Sequence, residues 1–365
     1  MHRFEKGVRK VPIPVSALQE LVTEAKVVVC CGSGGVGKTT VSATFALAAA
    51  RAGRRSCVVT VDPARRLADS LGVQSLANTP TEVQGDWSGH LHALMLDTKG
   101  TFDDLVHRYS RSPEQAEGIL ANRLYQNLAG ALSGTQEYMA MEKLYELVDS
   151  GDFDVVVVDT PPTRNALDLL DAPRRLTRFL ENRLFRALLL PTRMSLKAVG
   201  VATQALLRTI SKVAGAEIVQ DAVGFFQAFE GMEEGFRTRA GAVRELLADP
   251  STAFVLVTSA RPDAIAEATF FAEKLAERDV IPAALVVNRM QPRFGSPDPA
   301  LSSGGPLAAL EENLATLNAM ADRDETAFAD LAAQVAPAPL GRIPLFGHDV
   351  HDLGGLQRTA DALFA

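Results

Sequence analysis

The chain has 365 residues, 47% hydrophobic and 22% charged, which excludes a disordered or collagen-like polymer. Its 37 Lys and Arg against 44 Asp and Glu give a net charge of −7, so no nucleic-acid partner is expected. Three cysteines cannot build a disulfide scaffold, no apolar run reaches the roughly 18 residues of a membrane span, and the charged N-terminus lacks a signal-peptide core, so a cytoplasmic protein is expected.

Along the chain, Ser16-Ala17-Leu18-Gln19 reads as a capping box opening a helix to about Ala25. Lys26–Cys31 is a continuous apolar run, the pattern of a strand buried on both faces. A glycine-rich turn and a helix from Thr39 to Arg51 follow, the helix ending before Gly53. Further strands are expected at Ser56–Val61, Leu91–Leu96, Phe153–Val158, Ala253–Thr258 and Ala283–Val287. Strands alternating with helices imply crossovers and a parallel sheet. The fold class is therefore α/β: a mostly parallel sheet flanked by helices, with an inserted helical subdomain. Residues 1–172 and 248–365 are expected to form the core, carrying a helical segment at 102–149. Residues 173–247 have helical spacing and no strand, and form a candidate substrate or partner surface. Gln291–Pro306, rich in Pro, Ser and Gly, reads as an exposed loop.

Gly32-Ser33-Gly34-Gly35-Val36-Gly37-Lys38-Thr39 matches the phosphate-loop pattern G-x-x-x-x-G-K-[ST] between a strand and a helix. Glycines let the backbone curl its N–H groups toward phosphates, and the helix N-terminus adds partial positive charge. Gly34, Gly35, Val36, Gly37, Lys38, Thr39 and Thr40 are the expected nucleotide-binding stretch. Lys38 supplies a mobile cation and Thr39 a hydroxyl for Mg²⁺. Two aspartates stand at the carboxyl ends of strands, where ligands bind in open α/β sheets. Asp62 is followed by Pro63, and Asp159 by Thr160-Pro161-Pro162-Thr163. One of the two should hold Mg²⁺ or its water, and the other should orient the attacking water.

The doubled glycine at Gly34-Gly35 resembles the deviant phosphate loop of the SIMIBI ATPases. Asp62-Pro63-Ala64 resembles the switch I of the ArsA branch, and Asp159–Thr163 with Leu167-Asp168-Leu169-Leu170 its switch II. Gly134-Thr135-Gln136-Glu137 is similar to the segment ahead of switch II. Val286-Val287-Asn288 resembles the strand whose asparagine reads adenine, and Ile343-Pro344-Leu345-Phe346 the segment beside the base. The resemblance, to the ArsA and guided-entry family, runs in order from about residue 26 to 356. It implies an ATP- and Mg²⁺-dependent hydrolase working as a nucleotide-driven dimer. Lys38 and Thr39 would bind phosphate and Mg²⁺, and Asp62, with Lys38 the expected catalytic pair, would position the water. Asp159 would support Mg²⁺, directly or through water. Asn288 would select adenine, with Pro344 and Phe346 lining the base pocket.

Departures from the family pattern are informative. A lysine that crosses the dimer interface in related proteins is replaced by Ser33. The cation must then come from Arg65, Arg66 or Arg164, or from a lysine-bearing paralogue in a heterodimer; otherwise a homodimer would turn over slowly. No C-x-x-C supports a zinc clasp; Cys30, Cys31 and Cys57 fall on buried strands, and an arsenite-pump role has no cysteine site to rest on. His90 and His92 share a strand face without a third ligand. Pro173–Leu247 carries 12 Lys and Arg against 7 Asp and Glu. Within it Leu176, Phe179, Leu180, Leu184, Phe185, Leu188, Leu189, Leu190 and Met194 recur at helical spacing beside arginines. That stripe suits either a groove for a hydrophobic helix or membrane surface, with peripheral attachment at the inner membrane face, or a lid packed on its own domain; Phe225, Phe226, Phe229 and Met232 fit both. The function expected is ATP-driven opening and closing coupled to a hydrophobic protein segment; the alternative is a metabolic or envelope-assembly ATPase of the same fold.

Overall fold

A computed structural model describes residues 17–62, 65–123, 125–126, 135–161, 171–175, 177–178, 225, 231–295 and 308–364. Within them eight strands form one sheet: β1 (Val27–Gly32), β2 (Arg55–Thr60), β3 (Thr81–Val83), β4 (His90–Met95), β5 (Val155–Asp159), β6 (Thr252–Ser259), β7 (Ala284–Met290) and β8 (Leu340–Pro344). Their order is β3-β4-β2-β5-β1-β6-β7-β8. Every adjacent pair is parallel except the β3–β4 edge, which is antiparallel. The mostly parallel sheet matches the sequence reading. β3 and β8, the two edge strands, were not expected from the sequence, and β2 ends two residues before Asp62.

The central strand β1 shows why a continuous apolar run belongs here. Val27, Val29 and Cys31 enter one core, and Val28 and Cys30 the other. Side chains alternate across the strand, so a run buried on both faces must be apolar throughout. On one face α1 (Ala17–Glu24), α2 (Lys38–Arg51), α3 (Arg66–Leu71) and the C-terminal helix pack; α2 buries Val41, Phe45, Leu47 and Ala50 there. The opposite face is covered by α4 (Thr98–Tyr109), α5 (Pro113–Leu120), α6 (Thr135–Asp149), α7 (Glu233–Ala248) and α8 (Pro262–Ala276). α9 (Ala308–Ala327), α10 (Ala329–Gln334) and α11 (Leu353–Leu363), the last of which packs on α2, complete the described helices.

The expected helical character of 102–149 holds in α4, α5 and α6. Phe225 and Met232 are buried in one apolar cluster with Leu105, Ile119, Tyr125 and Phe236. The apolar stripe from Leu176 to Met194, with Phe226 and Phe229, lies outside the described residues, as do Ser16 of the capping box, Pro63-Ala64, and the switch II residues Pro162–Leu170 including Arg164. Residues 291–295 are irregular, and the rest of that predicted loop lies outside the described part. Among the described residues no helix is long and apolar enough to cross a membrane.

Candidate functional site

The carboxyl ends of β1, β2, β5, β7 and β8 converge on one cavity of about 480 Å³. Gly35, Gly37, Lys38, Thr39 and Thr40 line it, together with Asp62, Arg66, Asn288, Arg289, Pro344 and Phe346. Gly32 leaves β1 with φ +154°, and a Cβ there would sit 2.0 Å from the Val257 carbonyl oxygen. The loop can therefore pass β6 only as glycine. Gly37 caps α2 at φ +93° without a side-chain cap, which leaves the first N–H groups of the helix for a ligand.

Inside the loop, the Lys38 ammonium donates to the Ser33 carbonyl at 2.9 Å. Lys38 is buried, and desolvation lowers its pKa against the opposing pull of Asp159. Ser33 is itself enclosed, its Oγ without a partner among the described residues.

Asp159 ends β5 opposite Cys30 of β1 and Thr60 of β2. Its Oδ2 accepts from the Thr39 hydroxyl at 2.7 Å and from the Thr60 hydroxyl at 2.9 Å. Its Oδ1 is buried and has no hydrogen-bond partner among the described residues. Burial pushes the carboxyl up to about 6, against the hydroxyl donors and Lys38 that stabilise its charge. A hard divalent cation fits this donor set: one threonine hydroxyl beside one carboxylate with a spare buried oxygen. Thr60 has no motif to announce it; only strand register brings it to Asp159.

Asp62 lies on the cavity wall, its backbone N–H held by Thr60 Oγ1 at 3.2 Å and its carboxylate 3.7 Å from Arg66. Arg66, one of three arginines expected to replace the missing lysine, thus faces the cavity; Arg65 precedes it as the N-terminal flank of α3, and Arg164 is outside the described residues. Asn288 is buried and donates through Nδ2 to the Val36 carbonyl at 2.8 Å, while its Oδ1 accepts from the Arg289 N–H at 2.9 Å. A Cβ at Gly37 would lie 2.2 Å from that Nδ2. Asn288 therefore clamps the phosphate loop, a role the sequence reading did not assign to it. Pro344 and Phe346 stand on the same cavity wall, at and just beyond the end of β8.

Burial raises the Cys30 and Cys57 thiols to about 12 and Cys31 higher still, which leaves them protonated and unreactive. His90 Nδ1 lies 3.0 Å from Glu82, and His92 packs against Phe153.

The sequence model of the family described as anion-transporting ATPase matches residues 25–297. The chain is 33% identical over 151 residues to "ATPase asna-1" of Caenorhabditis elegans, covering 39% of this chain and 43% of that protein. It is 34% identical over 155 residues to "ATPase GET3" of Malassezia globosa, covering 42% and 44%. With "ATPase GET3A" of Arabidopsis thaliana it shares 28% over 281 residues, 76% of this chain and 71% of that protein. The chain thus spans less than half the length of the first two of these relatives.

Proposed function

The chain belongs to the anion-transporting ATPase family, and from that membership and the geometry of its loop we propose that it hydrolyses ATP to ADP and phosphate. The observation that carries the reading is the Thr39–Asp159–Thr60 constellation under a complete phosphate loop. Lys38 leaves the Ser33 carbonyl for the β/γ-phosphates when ATP enters. Thr39 and Asp159 would hold Mg²⁺, which would supply charge neutralisation to the phosphates. Asp62 orients the attacking water in line with the γ-phosphorus. Pro344 and Phe346 flank the base, and the remaining N–H and lone pair of Asn288 read the adenine edge.

The hydrolysis cycle drives a dimer, built from two copies or from this chain and a lysine-bearing paralogue. It couples to residues 173–247, a helical insertion within the core formed by 1–172 and 248–365, which handles a hydrophobic protein segment or a membrane-associated partner. Two contacts support a coupling route. Gln136 at the start of α6 donates to the Val61 carbonyl at 3.3 Å, next to Asp62. Farther along α6, Glu142 pairs with Arg239 of α7. The cycle runs in the cytoplasm, with peripheral contact at the inner membrane face.

The test is nucleotide binding and turnover in two variants. Lys38→Ala should abolish tight ATP binding. Asp62→Asn should bind ATP normally and turn over about 10²-fold more slowly, since water orientation is lost. Wild-type turnover in the Asp62 variant would remove that residue from the mechanism.

A further inference from the structure

Arg289 is one of two described residues other than glycine with positive φ, at +59°. The other, Asp279, follows a helix end and belongs to a residue type that tolerates this region. An arginine does not, and such strain persists only where the surroundings impose it. Here the imposition is visible. The β7–β8 register shifts between Val287 and Met290, an irregularity of the kind that re-aims a side chain. Asn288 Oδ1 holds the Arg289 N–H in the turned conformation. As a result the Arg289 guanidinium leaves the sheet and donates to the Gly35 carbonyl of the phosphate loop at 3.3 Å. It lines the same cavity as Lys38 and is solvent-exposed.

Lys38 and Arg289 are therefore arranged alike. Each cation rests on a carbonyl of the loop, Ser33 for one and Gly35 for the other. Neither forms an ion pair with a carboxylate of the described residues. A guanidinium has five N–H donors, and a neutral carbonyl engages only one here. A polyphosphate entering the cavity offers charged oxygens in place of that carbonyl, and charge-assisted bonds are roughly twice as strong as neutral ones.

We propose that Arg289 is a second phosphate-binding cation of this site, contacting the polyphosphate of the ATP that the loop itself cradles. The inference rests on the ATP reading above. The strained backbone at Arg289 serves to hold a positive charge over a loop that lacks the family's lysine at Ser33.

The test compares Arg289→Asn and Arg289→Lys with the unaltered protein by calorimetric titration with Mg·ATP and Mg·ADP, alongside thermal melts without nucleotide. Asparagine tolerates positive φ. Arg289→Asn should leave the melting temperature unchanged or raised while ATP affinity falls about tenfold and ADP affinity falls less, because the loss scales with ligand charge. Arg289→Lys should retain part of the ATP affinity. Unchanged ATP affinity in Arg289→Asn, or equal losses for ATP and ADP with a lowered melting temperature, would overturn the proposal and leave Arg289 a structural strut. Failure of the unaltered protein to bind Mg·ATP would instead bring down the underlying ATP reading, so the two failures are distinct.

Discussion

Asp159 carries a buried charge with one oxygen unserved by the protein, and this has a cost in the ligand-free state. Its folded value of about 6 lies above the 3.8 of an open carboxyl. The folded chain thus binds a proton that the unfolded chain has released at intermediate pH. The stability from this group is full below about pH 4 and is lost as pH rises through about 6. Two units correspond to roughly 3 kcal/mol. Asp159→Asn keeps an acceptor for Thr39 and Thr60 and removes the charge. In EDTA, the variant should gain on wild type by several degrees of melting temperature between about pH 4.5 and pH 7.5, and should lose Mg²⁺-dependent turnover. A difference that stays flat across that range would mean the carboxyl titrates normally. Lys38, Thr39 and Asp159 were legible in the sequence because their chemistry sits at fixed offsets from glycines and strand ends. Thr60 and Arg289 were not, because one depends on inter-strand register and the other on an irregular strand end, and neither has a local signature.

Among the elements, the strands that could be read were those with both faces covered. β1 and β6 are buried at every position, and their apolar runs announce them. β3 has three residues, too few for a pattern. β8 carries Gly341, Arg342 and Pro344 on a sheet edge, where proline and charge are tolerated. Gly341 lets α11 pack close to the strand, since a Cβ would lie 2.5 Å from the Leu363 Cδ1. Between helices, the Glu142–Arg239 pair fastens α6 to α7, with Tyr138 donating to the other carboxylate oxygen at 3.3 Å and Tyr145 stacked 4.0 Å from the guanidinium. Burial raises the Glu142 pKa, so its ionised form depends on Arg239. Arg239→Ala leaves that carboxylate unpaired and should destabilise the protein by about 3–5 kcal/mol in urea unfolding. Arg239→Met with Glu142→Leu, which removes both charges, should recover most of the loss. Equal losses in the single and double variants would show that packing on Tyr145, rather than charge, holds the two helices.

At the scale of the whole molecule, Ser33 bears on the dimer proposed above. The family resemblance implies a lysine at this position that crosses to the phosphates of the other copy, whereas the Ser33 side chain is short, uncharged and buried. Cations supplied from outside a site are worth roughly 10³–10⁵ in rate in the best-documented phosphoryl transfers. Arg66 faces the cavity but is drawn toward Asp62, and Arg289 sits on the loop of its own copy. Within the single copy both cations are held locally. The isolated chain should therefore bind ATP, hydrolyse it slowly and self-associate weakly. Adding a paralogue that carries the lysine should raise turnover by at least about tenfold and produce an ATP-dependent complex on gel filtration, with one fast site and one slow site per complex in single-turnover measurements. A homodimer that forms with ATP and turns over rapidly, and keeps that rate when Arg65, Arg66, Arg164 and Arg289 are each changed to alanine, would show that this loop needs no second cation.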